Sequence, residues 1–120
     1  MALKDENIMG LVENISKFLN TILFTGLDID VEDYENFNEM FELKQKLKKE
    51  IEKKNFKKAE KEILEEIEGR NRKDHEILRV AYWFYLKLNS IEKEELERGG
   101  YFKEDIYYGI KKIEEYAMGY

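Results

Sequence analysis

The chain has 120 residues, 42% of them hydrophobic, which suits one globular domain spanning residues 1–120. It has no Cys, which excludes disulfides and thiolate metal sites, and its single His leaves little for imidazole chemistry. Zero Pro and 40% charged residues favour a helical chain, and the formal net charge of −6 opposes binding to nucleic acids and anionic membranes.

The first predicted element is a helix over residues 4–24. Its apolar residues recur three and four positions apart, as on the buried face of an amphipathic helix, at Ile8, Leu11, Val12, Ile15, Phe18, Leu19, Ile22 and Leu23. Gly26 favours the end of this helix. Residues 27–35 are rich in acids and lack helical spacing, so we predict a connecting loop there.

Two helices are predicted in the middle of the chain. The second helix covers residues 36–53, and its apolar side is formed by Phe37, Met40, Phe41, Leu43, Leu47 and Ile51. Asn55 is a typical N-cap for the third helix, and Gly69 favours its end. The apolar residues of the third helix are Phe56, Ala59, Ile63, Leu64 and Ile67.

Three more helices are predicted in the rest of the chain. Asp74 caps the fourth helix, whose expected buried residues are Ile77, Leu78, Ala81, Phe84, Tyr85 and Leu88. Ser90 caps a short fifth helix over residues 91–98, which Gly99 and Gly100 end. A sixth helix over residues 103–118 is expected to bury Ile106, Ile110, Ile113 and Ala117, and we predict no strand.

The amino-terminal sequence indicates a cytoplasmic protein. It has neither the basic start nor the uninterrupted apolar region of a signal peptide. Polar residues at positions 13, 14, 17 and 20 interrupt the apolar pattern of the first helix, so that helix is not expected to cross a membrane.

The turn between the second and third helices resembles a tetratricopeptide hairpin. Residues 53–60, with the sequence KKNFKKAE, place a polar turn before Phe56 and the small residue Ala59 three positions later, which allows two helices to pack closely. Only one copy of the pattern is present. A single hairpin cannot form the concave groove of a repeat array, so the resemblance implies the hairpin without the peptide-binding function.

The whole chain resembles a family of small uncharacterised bacterial proteins described as a domain of unknown function. The resemblance rests on the opening residues 5–9 (DENIM), on the central hairpin, and on residues 101–110 (YFKEDIYYGI). It implies an all-α fold related to tetratricopeptide hairpins and no particular activity. We therefore predict an all-α chain of five to six antiparallel helices, arranged as a small bundle or a short tetratricopeptide-like helical solenoid.

No motif points to catalysis, a cofactor or a metal. Asp74, His75 and Glu76 are the only place where imidazole meets carboxylates, and adjacent helical residues point about 100° apart, so they cannot converge on one ion. Glycine-rich phosphate loops and nucleophile motifs are absent from the sequence. We predict that the protein is not an enzyme and has no catalytic, cofactor-binding or metal-binding residues.

The charges are unevenly distributed along the chain. Seven acids and no base occur in residues 28–42, whereas residues 44–61 contain nine Lys and three Glu. The second segment is a candidate basic patch for nucleic acid, formed by Lys46, Lys49, Lys53, Lys57 and Lys61. It contains no Arg, which argues for two solvated helix faces and makes nucleic-acid binding the alternative function.

The most informative run is residues 80–86, VAYWFYL, which is apolar or aromatic on every side of two helical turns. Either this helix is central and buried all round, or part of it forms an interface. Gly109, inside the last helix, suggests a close approach by another element, and Gly10 suggests the same. We predict a non-catalytic module that contacts a protein partner or a second copy of itself through Tyr82, Trp83, Tyr85 and Tyr108.

Overall fold

Six α-helices and one 3-10 helix form the computed structural model, which describes residues 5–70 and 74–119. Their bounds are Asp5–Phe24 (α1), Val31–Asn36 (the 3-10 helix), Phe41–Glu52 (α2), Phe56–Glu68 (α3), His75–Asn89 (α4), Lys93–Arg98 (α5) and Lys103–Ala117 (α6). These residues contain no strand, which confirms the all-α prediction. Residue 4, the predicted start of the first helix, lies outside the described residues. No described helix is long and apolar enough to span a bilayer.

Several predicted helix ends are confirmed. The Asp74 side chain accepts a hydrogen bond from the backbone N–H of Glu76 at 2.9 Å and so caps α4. Gly69 directly follows α3, and Gly100, with a φ of +76°, follows α5 in the left-handed conformation that glycine favours.

One predicted cap is wrong, and another occupies its position without a side-chain bond. Ser90 follows α4 and its hydroxyl donates to the carbonyl of Lys87 at 2.7 Å, while α5 begins only at Lys93. Asn55 occupies the N-cap position of α3, as predicted, and its backbone carbonyl accepts from Ala59 N–H at 3.0 Å. Its side chain forms no capping bond, and its amide donates to Glu50 Oε2 at 3.1 Å.

The predicted loop over residues 27–35 contains most of the 3-10 helix, and this accounts for a seventh helical segment where five to six are predicted. Tyr34 anchors this helix to the core. Its side chain is fully buried, and its ring packs edge-on against Phe24 at a centroid distance of 5.4 Å. The chain then continues to Met40, which has a left-handed φ of 50°, before α2 starts at Phe41 rather than near residue 36.

Helix α4 lies at the centre of a bundle. It contacts α1, α2, α3, α6 and the 3-10 helix. Nine of its fifteen residues are buried, namely Ile77, Leu78, Val80, Ala81, Tyr82, Trp83, Phe84, Tyr85 and Leu88. The run of aromatic residues therefore belongs to a central helix rather than to an exposed helix face.

The helices around α4 close on one another. Arg79, near the start of α4, donates to the carbonyl of Leu23 near the end of α1, and Tyr82, further along α4, donates to the carbonyl of Ser16, further back along α1. These two helices are therefore antiparallel. Lys103, at the start of α6, donates to the carbonyl of Asn89 at the end of α4, and Gly109, further along α6, lies against Tyr85, further back along α4. This pair is therefore antiparallel as well. Consequently α1 and α6 run in the same direction, and they also pack together. Contact between the first and last described helices makes the arrangement a bundle, since the two ends of a solenoid lie apart.

Two expected core residues lie at the surface. Phe41 is 43% exposed and Leu11 is 36% exposed. Phe41 is the first residue of α2, where the late start of the helix turns it away from the core. Leu11 lies on the flank of α1, beside the buried face that Ile8, Val12 and Ile15 form.

Gly109 allows α6 to approach α4, as its place inside a helix predicts. A Cβ atom built on Gly109 would lie 2.2 Å from Cε1 of Tyr85, a distance that the two atoms cannot tolerate. Gly10 is different, because a Cβ atom there would meet nothing within 4 Å. The close-approach prediction is therefore confirmed for Gly109 and wrong for Gly10.

This contrast supplies a matched pair of substitutions. Gly109→Ala is expected to lower the free energy of unfolding by about 2 kcal/mol, because the buried Tyr85 ring has to move. Gly10→Ala is expected to raise it by up to about 1 kcal/mol, because alanine is the better helix former and its methyl group has open space. Urea unfolding followed by circular dichroism measures both, and equal effects of the two changes would contradict the packing of α6 on α4.

Candidate functional site

Three of the four candidate contact residues are buried. Tyr82 and Tyr85 have no exposed surface, and Trp83 is 3% exposed. They are buried because α4 has neighbouring helices on all sides. The expectation that they form an exposed contact surface is therefore corrected: in this bundle they pack in the core, and only an edge of Trp83 reaches an open groove.

The hydroxyl groups of the buried tyrosines have acceptors inside the bundle. Tyr82 donates to the carbonyl of Ser16 at 3.2 Å. Tyr85 and Tyr101 both donate to Glu60 Oε2, at 2.9 and 2.7 Å. Burial is the main cause, and the nearby Glu60 charge the second, of a pKa of Tyr85 that lies far above its ordinary value. Tyr85 and Tyr101 therefore stay neutral and link α3 to α4 and to the residues just before α6, whereas Tyr82 links α4 to α1.

Tyr108 is the candidate contact residue that stays at the surface. Its side chain is 55% exposed on the outer side of α6, and its ring lies 5.2 Å from the partly buried ring of Tyr107. The neighbouring outer positions of α6 are the exposed Lys111, Lys112 and Glu115. An aromatic side chain surrounded by charged ones has the layout of an interface anchor with a polar rim.

The candidate basic patch is interrupted by carboxylates. Three of its five lysines lie 3.5 to 4.0 Å from a carboxylate oxygen, in the pairs Lys46–Glu62, Lys57–Asp105 and Lys61–Glu65. Lys49 and Lys53 are exposed, and neither forms an ion pair within the described residues. Three other lysines of residues 44–61 also form ion pairs, namely Lys48 with Glu35, Lys54 with Glu95 and Lys58 with Glu50. The residues that the structure describes do not form one continuous basic face.

Lys44, the first lysine of that segment, is buried. Its Nζ donates to the backbone carbonyls of Tyr34 and Phe37, the second at 3.0 Å, and lies 3.8 Å from the centroid of the Tyr34 ring. Its side chain has no exposed surface, and burial lowers the pKa of Lys44 from 10.5 to about 8. Lys44 thus holds the 3-10 helix onto α2 and takes no part in a surface patch.

A largely buried ion pair adjoins this lysine. Arg79 Nε and Nη2 donate to the two carboxylate oxygens of Glu39 at 2.7 and 2.6 Å, and Nη1 donates to the carbonyl of Leu23 at 2.8 Å. Tyr34 donates its hydroxyl to Glu39 at 2.6 Å. Burial opposes ionisation of Glu39, but the hydrogen bonds from Arg79 and Tyr34 outweigh it and lower the pKa of this carboxyl. The network joins α1, the 3-10 helix and α4.

The sequence analysis missed this network. An arginine between the apolar residues Leu78 and Val80 is itself a signal, because a charge on a buried helix needs a partner. The sequence does not say which acid is the partner, since Glu39 lies 40 positions away from Arg79. A second signal lies in residues 27–31, where Leu27, Ile29 and Val31 alternate with acids. This alternation indicates that residues 27–31 pack along the core with their acids facing outward.

The motif of Asp74, His75 and Glu76 has no metal-site geometry. Asp74 caps α4, and His75 is exposed in the first helical turn. No group of three or more potential metal ligands occurs within residues 5–70 and 74–119.

Lys44 makes stability depend on pH in a testable way. Since its pKa is about 8 in the folded chain and 10.5 in the unfolded chain, the unfolded chain binds more protons between those values, and stability rises with pH. Above about pH 10 the trend reverses, because burial raises the pKa of Tyr34, Tyr85 and Tyr101 and unfolding lets them ionise.

We expect the free energy of unfolding to rise by on the order of 1 kcal/mol between about pH 7 and pH 9.5, measured by urea unfolding at each pH. Lys44→Met, which keeps an unbranched chain beside the Tyr34 ring, removes that rise. Lys49→Met is the control, because Lys49 is exposed, and it should keep the rise. A rise that persists in Lys44→Met would contradict the assignment.

Comparison with known proteins places the chain in a family. Residues 2–117 match the model of a family of unknown function, DUF6483. No curated protein and no solved structure matches the chain. The family match spans almost all of the sequence and agrees with the resemblance seen in its opening, central and final segments. The chain is therefore a member of the DUF6483 family of unknown function.

Proposed function

We propose that this chain is a non-catalytic helical module for protein–protein interaction or self-association, in which α2 and α3 form a hairpin of the tetratricopeptide type. The observation that carries the proposal is the exposure of Tyr108 on the outer side of α6. Tyrosine offers a large rigid contact area with a polar end, which is why it recurs at interface centres. Ile106, Ile110 and Ile113 fill the core side of α6, so Tyr108 is not needed for the bundle.

Two further exposed apolar residues lie on α1 and after α6, the two helices that pack side by side. Met9 is 59% exposed and Met118 is 47% exposed. Methionine side chains adapt to irregular surfaces and are common at binding faces. They add exposed apolar surface near the two ends of the α1–α6 pair, and Tyr108 on the outer side of α6 is the proposed anchor.

Nucleic-acid binding, the alternative from the sequence, has less support. Lys44 is buried, and three of the five patch lysines lie beside carboxylates. Exposed carboxylates next to lysines reduce the attraction for phosphates. Salt-dependent binding to generic oligonucleotides, lost in Lys49→Glu, would overturn the protein-interaction proposal in favour of this alternative.

Tyr108→Ala tests the proposal. We expect wild-type chain to associate as its concentration rises, measured by light scattering, and Tyr108→Ala to weaken the association about tenfold, the usual cost of truncating an interface anchor. Phe41→Ala is the matched control, because Phe41 is an aromatic residue of similar exposure on α2. It should leave the association unchanged.

Circular dichroism should show that both variants keep the helical content of the wild type, since both side chains are exposed. Equal weakening by the two changes would contradict Tyr108 as the anchor. A wild type that stays monomeric at every concentration would contradict self-association, and the proposal would then require a different protein as the partner.

A further inference from the structure

An open groove runs between the 3-10 helix and α4, with a volume of about 370 Å³. Its apolar part is formed by Val31, Trp83 and Leu86, and its rim by Glu32, Glu35, Lys87 and Ser90. Trp83 is otherwise buried, so the groove is where an edge of this side chain meets solvent. A volume of this size can hold apolar side chains of a bound molecule.

A second depression, of about 570 Å³, lies between the end of α1 and residues 27–32. Val31 and Glu32 line both, so the two form one surface across the start of the 3-10 helix. Asp30 and Glu32 are the charged residues that line the second depression, and no lysine or arginine lines it.

The unpaired charge on this surface is negative. Asp28, Asp30, Glu32 and Asp33 are all exposed, and none of them forms an ion pair within the described residues. Glu35 differs, because it accepts Lys48 and Lys87 at 2.9 and 2.5 Å. Lys87, the cation on the groove rim, therefore already has an ion-pair partner within its own chain.

We propose that the groove at Trp83 binds a basic amphipathic segment of another protein. An apolar side chain of the segment packs on Trp83 and Leu86, while its Lys or Arg residues face Asp30 and Glu32. This inference rests on the proposed function and adds the chemistry of one partner and a surface distinct from Tyr108.

The charges favour this partner over two others. Nucleic acid carries the same sign as the exposed acids and is repelled. A second copy of this chain has a net charge of −6, and the lysines of its α2–α3 hairpin are largely paired with its own carboxylates. A segment with unpaired cations and apolar side chains matches both the exposed acids and the apolar part of the groove.

Trp83 provides the measurement, since it is the single tryptophan of the chain. The probe is a synthetic peptide of about 16 residues containing Lys, Leu and Ala, with leucines at helical spacing and no tryptophan. We expect it to change the Trp83 fluorescence in a saturable way, and rising salt to weaken the binding. A peptide with Glu in place of every Lys should leave the fluorescence unchanged.

A pair of charge reversals tests the location. Glu32→Lys is expected to weaken binding about fivefold, because it replaces an attraction on the groove rim with a repulsion. Glu42→Lys changes the net charge equally, is exposed in the first turn of α2, and does not line the groove. It should change the affinity by less than about twofold.

Several results would overturn the inference. Equal losses in the two variants mean attraction by net charge alone, and equal binding of the acidic peptide means purely apolar adsorption. A Trp83 signal that depends on protein concentration without peptide means a second copy in the groove. No fluorescence response to the basic peptide rejects the site. If the peptide gives no response but the association that depends on Tyr108 is still observed, the proposed function stands without this groove.

Discussion

The burial of α4 on all sides is the constraint on which the rest of the bundle depends. Residues 82–85 are four successive aromatic side chains, and successive helical positions point about 100° apart, so the helix needs an apolar environment all round. Helices α1, α2, α3 and α6 and the 3-10 helix together supply it. Each buried phenol then needs an acceptor, which Ser16 provides for Tyr82 and Glu60 for Tyr85. The apolar rings stabilise the core, while these hydrogen bonds offset the cost of burying the hydroxyls.

The ion pair of Glu39 and Arg79 holds the 3-10 helix, the shortest element that contacts α4, in place. A charged guanidinium on a central helix is tolerated only when its donors are matched, and here Glu39 and the Leu23 carbonyl match them. Lys44 adds two hydrogen bonds to carbonyls of the same segment. Together these contacts hold the 3-10 helix against α4, and that placement creates the wall of the groove at Trp83.

The sequence predicts features that depend on local spacing, and it misses those that depend on distant partners. The all-α fold, the cap at Asp74 and the close approach at Gly109 follow from residues a few positions apart. The buried Lys44 does not, because its environment is a turn whose shape is set by the burial of Tyr34. Lysine spacing likewise predicts which side chains share a helix face but not that acids on other helices, such as Asp105, lie beside them.

The distribution of unpaired charge distinguishes the two contact surfaces that we propose. The sequence contains a basic segment and an acidic one, and the basic segment is its candidate patch for nucleic acid, the alternative function. Folding pairs most of the lysines with carboxylates, whereas the acids of residues 28–33 remain unpaired within the described residues. Free charge of one sign beside a groove with an apolar floor favours a partner of the opposite sign. Tyr108 offers apolar contact among charges of both signs, so the outer side of α6 is suited to contacts in which shape rather than charge decides the partner.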